Sequence, residues 1–376
     1  MKRKVRIKRL LGVSGRGWFA IVAALALVAL VAGCGSSSSS SSSTAAAESS
    51  EESAGSEEGA SEESASAIPA YDGPEAGLPS EYEAPKKKLA DCTIGYQNIS
   101  GAISSLAAEQ EAAEEEAKAL GCKIVALDDQ LNPTTQVNNF EQLLTQKVSA
   151  IVVYPIVPSA LAPSLAKAEA AGIPVIADTT PPQVTTKLPK AYVSRVQQGW
   201  DQVAYLRAKY VAEQDPGAEF VVMGLAAPVE SLEYLGERTR YWAEKFGLKF
   251  AGQIDAQEDT PASASTAMSG IVGKYPNAGA VFAYNDNAAV AASTVAKASQ
   301  YSATICGGNG QKEAFQAIEN GSLGCTVWID FHEMGKQLVR GVYDAAAEPE
   351  TKLPETVVVP VEIVNKENAG SLEPIG

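Results

Sequence analysis

The sequence predicts an α/β protein built from two doubly wound parallel sheets, and two observations lead to this fold class. From Cys92 onward, short apolar runs that do not alternate with polar residues are separated by longer helical stretches. This order is typical of parallel strands whose sheet is covered by helices on both faces. The alternation also occurs twice, so each half of the chain has enough strands for its own sheet. Ligands of such sheets bind beyond the carboxyl ends of the strands, so two facing sheets would place both sets of strand ends on one cleft.

The predicted elements follow this alternation in both halves. Gly121 and Gly172 each end a helical stretch, since glycine readily adopts the left-handed conformation of a helix C-cap. In the first half, strands are predicted over residues 93–96, 123–127, 150–154 and 173–177, and helices over 104–120, from 134 or 135 to 147, and over 159–171. In the second half, helices are predicted over 199–212, 231–246, 262–274, 288–299, 312–320 and 331–346, and strands over 220–223, 250–254, 280–284, 304–306, 326–329 and 357–361.

Residues 1–33 have the layout of a secretory signal peptide. Seven basic and no acidic side chains occupy the segment before residue 18, and an apolar segment follows over 18–32. A transmembrane helix is the alternative, but this apolar segment is shorter than the ~20 residues that a span requires. The small residues directly before Cys34 resemble a bacterial lipoprotein cleavage site. We therefore expect Cys34 to become the lipidated first residue of a protein anchored on the extracytoplasmic face of the cell membrane.

The next segment, residues 34–88, is expected to be a disordered tether. It begins with eight consecutive serines, continues with Ala, Ser and Glu, and is rich in Pro and Gly over residues 68–85. Such a composition buries too little apolar surface to fold, and its repelling carboxylates keep it extended.

The chain is acidic, with a formal net charge of −15, and removal of the seven basic residues of the leader would leave −22. An acidic surface disfavours nucleic acid and anionic lipid headgroups as partners. The part of the chain from Leu89 onward is long enough for one large domain or two lobes.

Four cysteines remain when Cys34 is lipidated, and an even number in an oxidising compartment permits disulfide bonds. Cys92 and Cys122 open successive predicted strands, and Cys306 and Cys325 also lie at successive strands. Neighbouring strands would bring each pair near bonding range, so we predict Cys92–Cys122 and Cys306–Cys325, with buried free thiols as the alternative. The sequence contains no CxxC motif or Cys/His cluster, so no metal site is expected.

Four segments of the chain are similar to periplasmic sugar-binding proteins. They are LDDQLNP at residues 127–133, QKVSAIVVYP at 146–155, AGIPVIAD at 171–178 and AVFAYND at 280–286. Their order and spacing resemble the type I solute-binding proteins of ABC importers, in the branch that contains the ribose-binding proteins. The resemblance extends over nearly all of residues 92–364.

This resemblance implies two lobes joined by three hinge crossings, near Ser194, Asp330 and Pro360. The N-terminal lobe would comprise residues 89–194 and 331–359, and the C-terminal lobe residues 195–330 and 360–376. It also implies closure of the lobes on a small solute by hinge motion.

The resemblance further implies a ligand site at the strand ends of both lobes. Asn285 occupies the position whose amide bonds ligand hydroxyls, although a helix N-cap is the alternative role. Arg238 aligns with an arginine that forks to ligand oxygens, with a surface ion pair to Glu233 or Glu237 as the alternative. Asn309 falls where the family has an acidic ligand residue, or it serves as a turn residue.

Other positions depart from the ribose-binding pattern. The family has Asp-Arg after the position of Asp178, whereas this chain has two threonines, and its first loop lacks the aromatic residues that stack on a sugar. A second-lobe aromatic aligns with Asp259, and Trp328 either replaces the lost stacking surface or belongs to the core. The complete set of candidate ligand residues is Ser104, Ser105, Asp178, Thr179, Thr180, Arg238, Asp259, Asn285, Asn309, Trp328 and Asp330.

No pattern of catalytic residues is present. His332 is the only histidine, and the glycine-rich residues 307–310 lack the Lys-Ser/Thr pair of a phosphate-binding loop. No nucleophile elbow occurs. We therefore expect a binding protein that uses no cofactor.

We expect a monomeric receptor that binds a sugar, a polyol or a similar polar solute and delivers it to an ABC permease. A sensory receptor with the same fold is one alternative, and a relative that has lost solute binding is another. A third alternative is an amine-bearing solute, because Asp259 and Asp330 add negative charge.

Overall fold

The computed structural model of the protein describes residues 68–376. The predicted signal peptide, Cys34 and the tether up to residue 67 lie outside the described residues. Within the described part, no helix is both long and apolar enough to cross a membrane.

The described chain alternates strands and helices in the order that the sequence predicts, except that the strand Ser194–Gln197 was not predicted. The strands are β1 (Thr93–Asn98), β2 (Lys123–Asp128), β3 (Ala150–Val153), β4 (Val175–Asp178), β5 (Ser194–Gln197), β6 (Glu219–Leu225), β7 (Lys249–Ala256), β8 (Ala280–Ala283), β9 (Thr304–Cys306), β10 (Thr326–Ile329), β11 (Thr356–Val358) and β12 (Val361–Val364). The helices are α1 (Ser104–Ala119), α2 (Pro133–Gln146), α3 (Pro158–Ala171), α4 (Trp200–Gln214), α5 (Glu230–Lys245), α6 (Pro261–Lys274), α7 (Asp286–Ala298), α8 (Lys312–Glu319) and α9 (Phe331–Ala347), followed by a short 3-10 helix (Ala369–Ser371).

The strands form two parallel sheets, each at the centre of one lobe. The first lobe contains six strands in the order β11-β5-β4-β3-β1-β2, and the second contains four in the order β7-β6-β8-β9. An antiparallel pair, β10 and β12, belongs to the second lobe, where α4 packs against it. This architecture agrees with the predicted fold class.

The central strands explain why their apolar runs do not alternate. Every residue of β3, β4 and β8 is buried. Because helices cover both faces of each sheet, side chains that point in either direction enter an apolar core.

The chain passes between the lobes three times. The first crossing lies at Gln198 and Gly199, because β5 pairs with β4 and belongs wholly to the first sheet. It therefore follows the expected position at Ser194 by a few residues. The second crossing is at Asp330, between β10 and α9, and the third is at Pro360, between β11 and β12. The single strand predicted over residues 357–361 is in fact β11 and β12, one in each lobe, since proline has no N–H to continue a ladder.

Both predicted disulfide bonds are present. Cys92–Cys122 joins the beginnings of the neighbouring strands β1 and β2, with 4.6 Å between the Cα atoms. Cys306–Cys325 joins the end of β9 to the segment before β10, with 4.7 Å between the Cα atoms. Each bond therefore lies within one lobe and leaves the hinge unconstrained.

Residues 68–88, which we call the hinge strap, pack on the folded domain, so the expectation that the tether extends to Lys88 is wrong. On the second lobe, the Tyr71 hydroxyl donates to Asp201 Oδ2 at 2.9 Å. Glu75 is only 5 % exposed, and its carboxylate accepts the backbone N–H groups of Asp201 at 3.1 Å and Gln202 at 2.9 Å. Glu75 thus caps the N-terminus of α4, where the negative charge meets the positive end of the helix dipole.

The strap then continues onto the first lobe. Tyr82 is 4 % exposed, its hydroxyl lies 2.6 Å from Ser194 Oγ, and its backbone N–H donates to Gln337 Oε1 at 2.7 Å. At the end of the strap, the Leu89 N–H donates to the Tyr343 hydroxyl at 2.9 Å. The strap therefore contacts both lobes, in addition to the three hinge crossings.

Candidate ligand-binding cleft

Strand ends from both lobes line one cleft. Its first-lobe wall consists of Ile99, Ile103, Leu106, Leu131 and Tyr154, which follow β1, begin α1, and follow β2 and β3. Its hinge end and second-lobe wall consist of Gln198, Trp200, Leu225, Val229, Leu232, Asp259, Tyr284, Asn285 and Asn309.

Three hydrogen bonds hold the lobes together across this cleft. The Tyr154 hydroxyl of the first lobe lies 2.7 Å from Ser231 Oγ of the second. Two further bonds connect the start of α1 to the loop after β9, namely Asn309 Nδ2 to Ser105 Oγ at 3.0 Å and Gln311 Nε2 to Ser104 Oγ at 2.8 Å. The structure therefore shows the two lobes in a closed arrangement.

Asp259 is the only charged residue of the cleft wall within the described part of the chain. The Tyr284 hydroxyl donates to Asp259 Oδ1 at 2.9 Å, and Asn285 Nδ2 donates to the same oxygen at 3.1 Å. Burial and the neighbouring carboxylate raise the pKa of the Tyr284 phenol, so it remains a proton donor at neutral pH. Asn285 Oδ1 also accepts the Ala288 N–H at 2.9 Å, so Asn285 both caps α7 and contacts the cleft.

The loop that carries Asn309 is organised by Asp286. The Gln311 N–H donates to Asp286 Oδ2 at 2.8 Å, and the Thr326 hydroxyl donates to Oδ1 at 2.6 Å. Burial raises the pKa of Asp286 to about 7. Asn309 has φ = 118°, a region that Asn tolerates better than most residues, so its turn role and its place in the cleft coexist.

Comparison with known proteins identifies the family. Residues 101–350 match the periplasmic binding protein domain. The chain belongs to this family. The predicted resemblance to the ribose-binding branch is confirmed by the ribose import binding protein RbsB of Bacillus subtilis (strain 168), which is 27 % identical over 222 residues, 57 % of this chain and 68 % of that protein. The RbsB of Haemophilus influenzae is 22 % identical over 228 residues, 58 % of this chain and 73 % of that protein.

Solved structures confirm the predicted fold of this periplasmic binding protein. The periplasmic ribose ABC transporter protein of Conexibacter woesei superimposes with a TM-score of 0.66 at 20 % identity, over 76 % of this chain and 95 % of that one. An ABC transporter solute-binding protein of Bacillus halodurans with bound myo-inositol has a TM-score of 0.65 at 23 % identity, over 75 % of this chain and 96 % of that one.

The structure brings five of the candidate ligand residues to the cleft or its edge. Asp259, Asn285 and Asn309 line it. Ser104 and Ser105 begin α1 and use their hydroxyls in the hydrogen bonds between the lobes. These two serines therefore hold the closed form together in this periplasmic binding protein.

Arg238 lies elsewhere, at the contact between α4 and α5. Its Nε donates to Asp201 Oδ1, and its guanidinium carbon lies 3.9 Å from the centroid of the Tyr241 ring. Arg238 thus forms an ion pair, but its partner is Asp201 and not the predicted Glu233 or Glu237. The sequence could not show this because Asp201 is distant along the chain.

Asp178 and Thr179 belong to a buried polar cluster of the first lobe. Asp178 accepts the Thr179 hydroxyl at 2.8 Å, and the Tyr96 hydroxyl donates to the fully buried Glu109 nearby. Burial raises the pKa of Glu109 well above its usual range and that of Asp178 to about 7. Both shifts favour the protonated, uncharged forms of these two carboxyl groups.

The last three candidates, Thr180, Trp328 and Asp330, do not line the cleft. Thr180 is buried, and its hydroxyl has no partner among residues 68–376. Trp328 packs beneath the loop at Gly310, which favours the core alternative for this tryptophan. Asp330 Oδ1 accepts the Glu333 N–H at 2.9 Å and caps α9.

The sequence missed Gln198 and Trp200, which line the hinge end of the cleft. Both are at least 95 % buried, and Trp200 Nε1 finds no hydrogen-bond acceptor within the described chain. The sequence offered little signal for them, because the preceding strand Ser194–Gln197 contains a single apolar residue, Val196, and is not among the predicted strands. In residues 68–376, no group of three or more His, Cys, Asp or Glu side chains is placed to hold a metal ion.

Because several buried carboxyl groups have raised pKa values, we expect the free energy of unfolding to fall as pH rises. Burial raises the pKa values of Glu75, Asp178 and Asp286 to about 7. The folded state therefore binds more protons than the unfolded state, whose carboxyl groups titrate near pH 4. Their stabilising contribution is complete below about pH 4 and is lost as pH rises through 7, so the urea midpoint should be higher at pH 5.5 than at pH 8.

Glu75→Gln provides the control for this pH dependence. The variant keeps an acceptor for the α4 N–H groups but has no titrating proton, so its urea midpoint should change less between pH 5.5 and pH 8. A wild-type midpoint that is constant or rises over this interval would contradict the prediction.

Proposed function

We propose that this protein is the extracytoplasmic solute-binding component of an ABC importer. The observation that carries the proposal is the single cleft between the strand ends of two lobes, bridged by the Tyr154–Ser231, Asn309–Ser105 and Gln311–Ser104 hydrogen bonds. Family membership supports the same role, since the relatives include ribose import binding proteins and a solute-binding protein with bound myo-inositol.

The proposed mechanism follows from the two lobes and their hinge. The solute enters between open lobes, the lobes rotate about Gln198–Gly199, Asp330 and Pro360, and the hydrogen bonds across the cleft form on closure. The permease then recognises the closed protein. A sugar or polyol, as in the relatives, is the first solute class to test, and Asp259, Asn285 and Asn309 are the proposed polar contacts.

The proposal also covers the oligomeric state of the protein and its attachment to the membrane. We propose that the protein is a monomer that uses no cofactor and has no catalytic role. Lipidation at Cys34 would keep it at the outer face of the membrane, and the segment between Cys34 and the hinge strap would give it reach to the permease. The basic head, apolar stretch and small residues before Cys34 support this anchor.

A thermal-shift screen of the full chain tests the proposed function. The panel contains pentoses, hexoses, polyols, amines and nucleosides, and at least one solute should raise the melting temperature. A solute at 100 times its dissociation constant stabilises the folded protein by ~2.7 kcal/mol. The same solute should reduce the radius of gyration in small-angle X-ray scattering, because closure compacts the two lobes.

The substitution Tyr154→Phe tests whether solute affinity depends on closure of the lobes. The variant loses the hydroxyl that reaches Ser231 across the cleft, a bond of about 1 kcal/mol, so solute affinity should fall about fivefold. Tyr301→Phe is the matched control, since the Tyr301 hydroxyl donates to the Tyr275 carbonyl within the second lobe. The absence of stabilisation by every solute of the panel would contradict the receptor function.

A further inference from the structure

The two walls of the cleft differ in chemistry. The first-lobe wall contains the aliphatic residues Ile99, Ile103, Leu106 and Leu131. Tyr154 supplies the polar side-chain atom of this wall, a hydroxyl that is hydrogen-bonded to Ser231. This wall therefore offers a solute little beyond apolar surface.

The serines at the start of α1 do not make the first-lobe wall of the cleft more polar. Neither serine is among the cleft-lining residues, and each hydroxyl oxygen accepts from the second lobe, Ser104 Oγ from Gln311 Nε2 and Ser105 Oγ from Asn309 Nδ2. A sugar hydroxyl that faced the first lobe would lose its water on closure without gaining a partner, which lowers affinity. An aliphatic part of the solute in the same place would raise the affinity, because its apolar surface would be removed from water.

The second wall provides one negative charge. Asp259 lies beside Tyr284 and Asn285, which both donate to its Oδ1 atom. The cleft lining includes no Lys or Arg within residues 68–376, so no basic residue of this wall balances that carboxylate. A carboxylate accepts hydrogen bonds only, and a cationic donor forms the strongest of them.

Aromatic side chains add to the preference for a cation. Tyr154, Trp200 and Tyr284 all line the cleft, so both walls and the hinge end carry an aromatic ring. The faces of such rings attract ammonium groups, most strongly where water is excluded.

We infer that the solute is a small amine with an apolar body. Its body lies against the aliphatic first-lobe wall, and its ammonium group donates to Asp259. This inference rests on the proposed solute-binding function and narrows the solute to one with fewer hydroxyl groups than ribose or inositol.

Three compounds with the same six-membered carbon ring but different polar groups test the inference. Binding of myo-inositol, cyclohexanol and cyclohexylamine to the full chain is measured by isothermal titration calorimetry, with D-ribose as a further probe. We expect cyclohexylamine to bind at least tenfold more tightly than cyclohexanol, and cyclohexanol more tightly than myo-inositol. Tighter binding of myo-inositol or D-ribose would overturn the amine inference and leave the receptor function supported. Failure of these probes and of the whole thermal-shift panel would overturn both.

Asp259→Asn separates the charge from the apolar surface. The affinity for cyclohexylamine should fall at least tenfold, whereas the affinity for cyclohexanol should change less than twofold. Glu258→Gln is the matched control, because this neighbouring acidic residue is exposed and does not line the cleft. An unchanged cyclohexylamine affinity in Asp259→Asn would overturn the role of Asp259 as the partner of the ammonium group.

Discussion

Gly335→Ala is expected to destabilise the folded protein by about 3 kcal/mol, because Gly335 is where α9 approaches the backbone of α1. A Cβ atom at this position would overlap the Glu109 carbonyl oxygen and would lie 2.9 Å from the Ala113 nitrogen. Both obstacles are backbone atoms, so the helices themselves must separate. Overpacking of this kind costs typically 1–3 kcal/mol, occasionally more, and urea unfolding of the full chain measures it.

The displacement should also disturb the buried cluster of the first lobe, because Glu109 lies at this crossing. Gly273→Ala in α6 is the matched control, since nothing lies within 4 Å of the added Cβ atom. There the higher helix propensity of alanine should leave stability equal or increase it by up to about 1 kcal/mol. Equal stability of Gly335→Ala and wild type would show that α1 and α9 adjust freely, contrary to the close contact described here.

Tyr82→Ala is the second substitution with a large expected effect, about 3 kcal/mol of lost stability. The side chain is 4 % exposed and packs near Ile176 and Gly341 of the first lobe, so its removal leaves a cavity under the hinge strap. Truncation of a buried large aromatic residue commonly costs 3–5 kcal/mol. Tyr82→Phe should cost only about 1 kcal/mol, because it removes the hydroxyl that bonds Ser194 and keeps the ring.

Glu83→Ala supplies the control for this segment. Its side chain is 82 % exposed, and its ion pair with Lys86 lies at the surface, so its replacement should leave the urea midpoint nearly unchanged. If Tyr82→Ala were as mild as Glu83→Ala, residues 68–88 would behave as the tether that their composition predicts. The expected difference would show that residues 68–88 are part of the folded domain.

Local sequence patterns predicted most of the architecture. Apolar runs such as residues 150–153 fit only strands buried on both faces, and the helices between them are long enough to cover a parallel sheet. The two disulfide bonds also follow from local information, because each joins residues at the ends of successive strands. Asn285 lies in the cleft because it directly follows the strand β8, and the carboxyl end of such a strand faces the cleft.

Residues whose roles depend on distant partners were not predictable in the same way. Arg238 pairs with Asp201 from another helix, and no spacing along the chain connects them. The hinge strap was assigned to the tether because it is rich in Pro and Gly, whereas single side chains, namely Tyr71, Glu75 and Tyr82, attach it to the two lobes. Composition averages over a segment, whereas burial is decided by single side chains that meet a complementary surface.

The sequence by itself determined the α/β class, the division into two lobes and the disulfide pairs of this protein, because these depend on hydrophobic periodicity and on neighbouring strands. Only the tertiary structure decided the chemistry of the cleft. Folding places Ile99, Ile103 and Leu131 in the same cleft as Asp259, and it directs the hydroxyl oxygens of Ser104 and Ser105 into hydrogen bonds between the lobes. A side chain can bind a ligand only through hydrogen-bonding capacity that its protein partners leave unfilled, and those partners are often residues far apart in the chain.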